Sequence, residues 1–81
     1  MKTTFESYQK GIVKYNSGDY KGAIACFDKE IEENPEFPKA FYIRGFAKYM
    51  VADKDGAFMD WLKAAELGET GMHELIEKYF N

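Results

Sequence analysis

One cysteine, one histidine and two prolines are all that this chain of 81 residues carries of those three types. With Cys26 alone there is no internal disulfide, which fits a reducing compartment. One histidine (His73), one cysteine and carboxylates without a recognisable ligand spacing build no zinc site. No metal or cofactor is expected. The glycines follow neither the phosphate-loop nor the dinucleotide pattern, and no strand precedes them. No stretch approaches the roughly 18 apolar residues of a membrane span. The opening residues MKTTFESYQK lack the apolar run of a secretory signal, so a soluble cytoplasmic protein with no membrane partner is the expectation. Basic clusters are missing too. Eleven Lys and Arg are spread among fourteen Asp and Glu, and a net charge of -3 argues against nucleic-acid binding driven by phosphate neutralisation. Cys26 has no histidine close in sequence to act as its base. Nothing here marks an enzyme.

What the chain does have is apolar and aromatic surface. Residues are 46% hydrophobic and 17% aromatic, more than a disordered chain carries. The length fits one small domain with a marginal core.

Displaced by 34 positions, the sequence matches itself without a gap. Tyr8, Gly11, Lys14 and Tyr15 fall on Tyr42, Gly45, Lys48 and Tyr49. Asp19, Gly22 and Ala23 fall on Asp53, Gly56 and Ala57, Lys29 falls on Lys63, and Glu32 on Glu66. Lys10/Arg44 and Phe27/Trp61 are similar pairs. Each unit reads as two helices, and no stretch alternates with period two for long enough to make a strand. Thr3, with Glu6 three residues on, is a capping box for a first helix that ends near Asn16. Ser17-Gly18 breaks it. Asp19 caps a second helix that ends near Glu33, before Asn34-Pro35. Pro38 opens the third helix, which breaks near Ala52. Asp53 starts the fourth, and Gly68 suits its left-handed C-terminal cap. A fifth helix over about 71–80 follows Thr70 as its cap. The expected fold is all-α: a single domain over 1–81, with repeat one at about 4–37, repeat two at about 38–69 and a capping helix at about 70–81.

A 34-residue helix-turn-helix period is that of the tetratricopeptide repeat, and the residues resemble that family. Gly11, Ala23, Phe27 and Pro35 stand at signature positions of the first unit; Gly45, Ala57, Trp61 and Ala64 do so in the second. The likeness covers about residues 4–69, and the C-terminal part is similar to the closing helix of small bacterial members. Three features depart from the pattern. Lys14 and Lys48 replace an aromatic, Glu30 takes a small residue's place and needs a partner or a route to water, and Glu69 replaces a closing proline. The resemblance implies that the paired helices approach closest at Gly11–Ala23 and Gly45–Ala57, with Phe27 and Trp61 filling the wider part. It also implies that the first helix of each unit lines a concave, peptide-binding groove.

Those first helices carry one apolar line each: Phe5, Tyr8, Ile12 and Tyr15, then Tyr42, Phe46 and Tyr49, with Ile43 and Met50 beside them. Spacings of three and four put each line on one face. Part of it is expected to be core, Tyr15 and Tyr49 above all, while Tyr8, Ile12, Tyr42 and Phe46 form a partly exposed patch. Phe5, Tyr8, Ile12, Tyr42, Phe46, Tyr49 and Met50 are therefore the candidate binding residues for a peptide or protein partner. Family members that grip a C-terminal carboxylate use lysine and asparagine where this chain has Tyr8 and Ile12, so an extended or helical peptide with apolar side chains fits better. The alternative is a homodimer that buries the groove or the uncapped end of the first helix. The fifth helix is expected to cap the other end, with Met72, Leu75, Ile76, Tyr79 and Phe80 on Trp61. An exposed Arg44–Asp60 ion pair is expected in the second unit only, because Lys10 and Cys26 hold those places in the first. Cys26 reads as a small side chain beside a helix seam and His73 as a surface residue. Glu30, Glu32 and Glu33, near Lys29 and Lys63, read as a solvated face. Asn81 suits a natural C-terminus.

Overall fold

A computed structural model describes residues 4–80, which form five helices: α1 (Glu6–Asn16), α2 (Tyr20–Glu33), α3 (Pro38–Met50), α4 (Lys54–Glu66) and α5 (Met72–Phe80). No strand occurs among the described residues. Each helix packs on the next in chain order, whereas α1 and α3 touch only lightly. The arrangement is that of a helical repeat.

Local chemistry sets the helix ends. Asp19 and Asp53 each close one helix and open the next. The Asp19 backbone N–H donates to Lys14 O at 2.9 Å, and that of Asp53 to Lys48 O at 2.8 Å. Their carboxylates then accept from the N–H of Gly22 and of Gly56, each at 3.0 Å. A Cβ on Gly22 or Gly56 would meet that carboxylate at 2.3 Å, which accounts for this repeated glycine. At the end of α4, Gly68 (φ +105) donates to Ala65 O and Glu69 to Ala64 O, the paired bonds of a Schellman turn. Phe37 is extended, as the residue before Pro38 must be, and Pro38 takes the first turn of α3.

Two helix starts differ from the sequence expectation. Thr3 lies outside the described residues, and α1 opens at Glu6 with Phe5 as a cap residue that lends no side-chain bond. The bond comes instead from α2: the buried Glu30 carboxylate accepts the Tyr8 N–H at 2.9 Å. Glu30 thus belongs to the interior, not to a solvated face, because it serves an N–H that α1 leaves unpaired. In α5 the first helical residue is Met72. Gly71 (φ +82) precedes it, so Thr70 lies one residue outside the cap position.

The core consists of Ala23, Phe27, Ala40, Phe41, Ala47, Ala57, Trp61, Ala64 and Met72. The small residues act differently from the expected glycine-on-alanine seams. A Cβ on Gly11 would lie 2.6 Å from the Phe27 ring, and one on Gly45 would lie 2.4 Å from Trp61 Nε1. Each glycine is therefore the seat of the facing aromatic ring, and the ring takes the closest contact because it is the larger body to be accommodated. Trp61 also donates its Nε1–H to Tyr42 O at 3.0 Å, so its one polar group is satisfied in a fully buried setting. Tyr79 and Phe80 of α5 close over Trp61 at ring-centroid distances of 5.6 and 5.8 Å, and Leu75 and Ile76 join the same cluster.

Candidate functional site

Tyr8, Ile12 and Tyr15 on α1, and Tyr42, Phe46 and Tyr49 on α3, are all half-buried. The two lines differ in what supports them. On α3, Phe46 meets the Trp61 ring at 5.0 Å and the Tyr79 ring at 6.1 Å, and Tyr49 meets Tyr79 at 5.1 Å and Phe80 at 5.9 Å. Helix α5 thus backs the lower part of that line and makes Phe46 and Tyr49 one side of the core. On α1, Tyr8 leans on Phe37 at 5.0 Å and on Phe27 at 5.9 Å. Tyr15 packs on Tyr20 at 5.2 Å.

The two outermost candidates stand apart from this face. Phe5 precedes α1, is 41% exposed and sits against Phe37 at 4.6 Å, so it belongs with the α2–α3 turn. Met50 ends α3 and is 53% exposed.

Electrostatics ties the lines together. Burial raises the Tyr8 hydroxyl above its ordinary pKa, opposed by Lys39 and helped by Glu69 and Tyr42. Burial likewise raises Tyr15, with Tyr20, Tyr79 and Tyr42 adding to it. Phe46 and Tyr49 of α3 lie on the same side as Tyr79 of α5. Lys39 bonds Glu69 at 2.8 Å, which raises the lysine, and its Nζ lies 5.7 Å from the centre of the Tyr42 ring. This ion pair at the edge of the face has one hint in the sequence, the glutamate standing where a closing proline is usual.

Arg44 makes the expected pair and more. Its Nε and Nη2 bond both oxygens of Asp60 at 2.8 and 2.7 Å, and Nη1 reaches Asp28 of α2 at 2.8 Å. Lys48 approaches Asp60 at 3.4 Å. The pair is not exposed: Asp60 is 4% accessible, because three helices meet there. Burial alone would lower Arg44, but the bonds and charges of Asp60 and then Asp28 outweigh it and hold the guanidinium above its ordinary value. Cys26 is a partly buried free thiol, and His73 is exposed.

Among the described residues no three His, Cys, Asp or Glu side chains gather into a metal-holding group, and no helix is long and apolar enough to cross a membrane. No protein-family model and no curated protein matches the chain.

Proposed function

We propose that the chain is a non-catalytic interaction module of tetratricopeptide type, with repeats at 4–37 and 38–69 and a closing helix at 70–81, that works in the cytoplasm and holds a partner peptide along the face shared by α1 and α3. The observation that carries this is the half-exposed line of Tyr8, Ile12 and Tyr42 on two helices that barely touch each other. Aromatic rings held on rigid helices supply apolar contact at low entropic cost, and tyrosine hydroxyls add hydrogen bonds.

Dimerisation is the second reading, and one of its two routes is disfavoured. The face of α3 that carries Ala40, Phe41 and Ala47 is buried, whereas the same places on α1 hold Glu6, Ser7 and Val13, with Lys10 opposite Arg44. An end built from these mostly polar residues offers little to a second copy.

The test is a selection of random peptides on the wild-type chain, followed by titration of the winners against a Tyr8→Ser/Tyr42→Ser variant. Phe46 is spared because it supports Trp61. Winners rich in apolar side chains are expected, with affinity at least about tenfold weaker for the variant and unchanged helical circular dichroism. Winners that bind both proteins equally reject the face. Light scattering across concentrations separates the dimer reading, which requires a mass that falls on dilution.

A further inference from the structure

The first three helix junctions each carry a polar tie. Between α1 and α2 the Tyr8 N–H bonds the Glu30 carboxylate. Between α2 and α3 Arg44 bonds Asp28. Between α3 and α4 Arg44 bonds Asp60, and the Trp61 Nε1–H reaches Tyr42 O. The last junction differs. Among the described residues no hydrogen bond or ion pair joins α5 to another helix. What holds α5 is apolar: Met72, Leu75, Ile76, Tyr79 and Phe80, at i, i+3, i+4, i+7 and i+8, pack on the Trp61 cluster. Only Met72 of these is buried, and the other four keep part of their surface in water. Apolar contact is non-directional and scales with the area covered, so this junction rests on a partly covered surface alone.

The segment that joins α4 to α5 has a fixed part and a free part. The Glu69 N–H donates to Ala64 O at 2.9 Å, and the Glu69 carboxylate accepts from Lys39 of α3 at 2.8 Å. The chain is therefore anchored as far as Glu69. Thr70 and Gly71, which follow, are exposed. Gly71 has φ +82, with open space where a Cβ would stand. Glycine leaves this conformation as readily as it enters it, so rotation at these two residues frees α5 without disturbing α4.

Helix α5 is also pinned at both ends. Met72, its first residue, is 4% exposed, and Phe80, its last, meets the Phe58, Trp61 and Tyr49 rings at 5.4, 5.8 and 5.9 Å. Fraying from Phe80 inward would break the same ring contacts as full release. Once lifted, nine residues are too few to stay helical alone, so all the α5 amides lose protection together. We propose that α5 is a lid, hinged at Thr70–Gly71, that opens as one unit while α1–α4 stay folded. With the lid closed Trp61 is inaccessible, and Phe46 and Tyr49 are backed by Tyr79. With it open these three rings join the apolar surface of α3, so α5 sets how much of that surface a partner can reach. Opening is a property of the chain and does not depend on the aromatic lines of α1 and α3 binding anything.

The experiment is native-state hydrogen exchange of the ¹⁵N-labelled full chain at several low urea concentrations. The amides of residues 75–80 should share one opening free energy and one urea slope, and should be protected about tenfold or more weakly than the slowest amides of α3 and α4. Two variants locate the opening. Gly71→Ala touches no side chain but must hold a left-handed φ in the closed lid, so exchange in α5 should rise about threefold. Asp19→Ala removes the α2 cap, which the open lid leaves in place, so the slowest amides of α2–α4 should exchange about fivefold faster while those of α5 keep their rate. The lid is overturned if α5 shares the opening free energy of α3 and α4, if protection climbs stepwise from Phe80 inward, or if Asp19→Ala speeds α5 as much as the rest. Unchanged α5 exchange in Gly71→Ala overturns the hinge.

Discussion

Ala52 has φ +70, in the left-handed region that a Cβ disfavours. Gly18 holds the same place one repeat earlier with φ +87. Both positions close a helix with the same two bonds: Gly18 to Tyr15 O with Asp19 to Lys14 O, and Ala52 to Tyr49 O with Asp53 to Lys48 O. The left-handed conformation costs alanine about 1–2 kcal/mol, and glycine's greater freedom in the unfolded chain returns about 0.5–1 kcal/mol of that. Because Ala52 is exposed, no packing is lost with its methyl group. Ala52→Gly is therefore expected to stabilise the protein by about 0.5–1 kcal/mol, seen as a higher urea midpoint at unchanged slope. A midpoint that stays put or falls would show that Asp53 and the following helix already absorb the strain. At this scale the sequence is informative where a residue type serves its own neighbours: Asp19, Asp53, Pro38 and Gly68 all do what their positions suggest. Glu30 is the opposite case. One of its two partners is the backbone N–H of Tyr8, 22 residues away, and a backbone group leaves no mark in the residue type.

Helix pairs are held by one aromatic seated on one glycine, and the α2–α3–α4 junction is held by Arg44. The antiparallel pairing of α3 with α4 made Arg44–Asp60 legible. Asp28 was not, because it comes from the preceding unit and the corresponding place in the second unit is Leu62, so the repeat gives no signal for it. Burial was equally hidden, since it depends on where α2 lies. These positions yield a contrast. Asp60 is nearly inaccessible and satisfies two guanidinium nitrogens with Lys48 nearby, whereas the Asp28 side chain is 57% exposed. Asp60→Ala should cost about 3 kcal/mol or more, since it leaves Arg44 mostly buried with one outer partner. Asp28→Ala should cost under about 1 kcal/mol, as an exposed pair does. Urea unfolding of the two variants measures both, and equal costs would mean that Asp60 is no more than a second surface partner of Arg44.

Over the whole molecule, half-buried tyrosines line one side each of α1, α3 and α5, with Tyr20 of α2 packed on Tyr15, and polar residues stand at the outward side of α1 and on the exposed positions His73, Glu74, Glu77 and Lys78 of α5. The repeat arithmetic located the lines on α1 and α3. It marked Tyr49 as core but left Phe46 in the exposed patch, because the last helix matches neither unit closely enough to fix which rings of α3 it would cover. The tyrosines have a consequence at high pH. Tyr8 and Tyr15 are both raised, chiefly by burial, and Lys39 is raised by its bond to Glu69. An acid whose folded pKa lies above its unfolded one keeps its proton longer in the native state, so its contribution is complete below the unfolded pKa and fades as pH climbs through the folded one. The lysine has the same sign, since its folded state also holds the proton more tightly. All three groups therefore draw stability out of the fold above about pH 10. Urea unfolding at pH 8 and pH 11 should show a lower midpoint at the higher pH. Tyr8→Phe/Tyr15→Phe should recover part of that loss, because phenylalanine has no proton to give up, while the Lys39 share remains. A double variant that loses as much as the wild type between the two pH values would place the alkaline sensitivity on Lys39 and Glu69, at the edge of the face and not in its tyrosines.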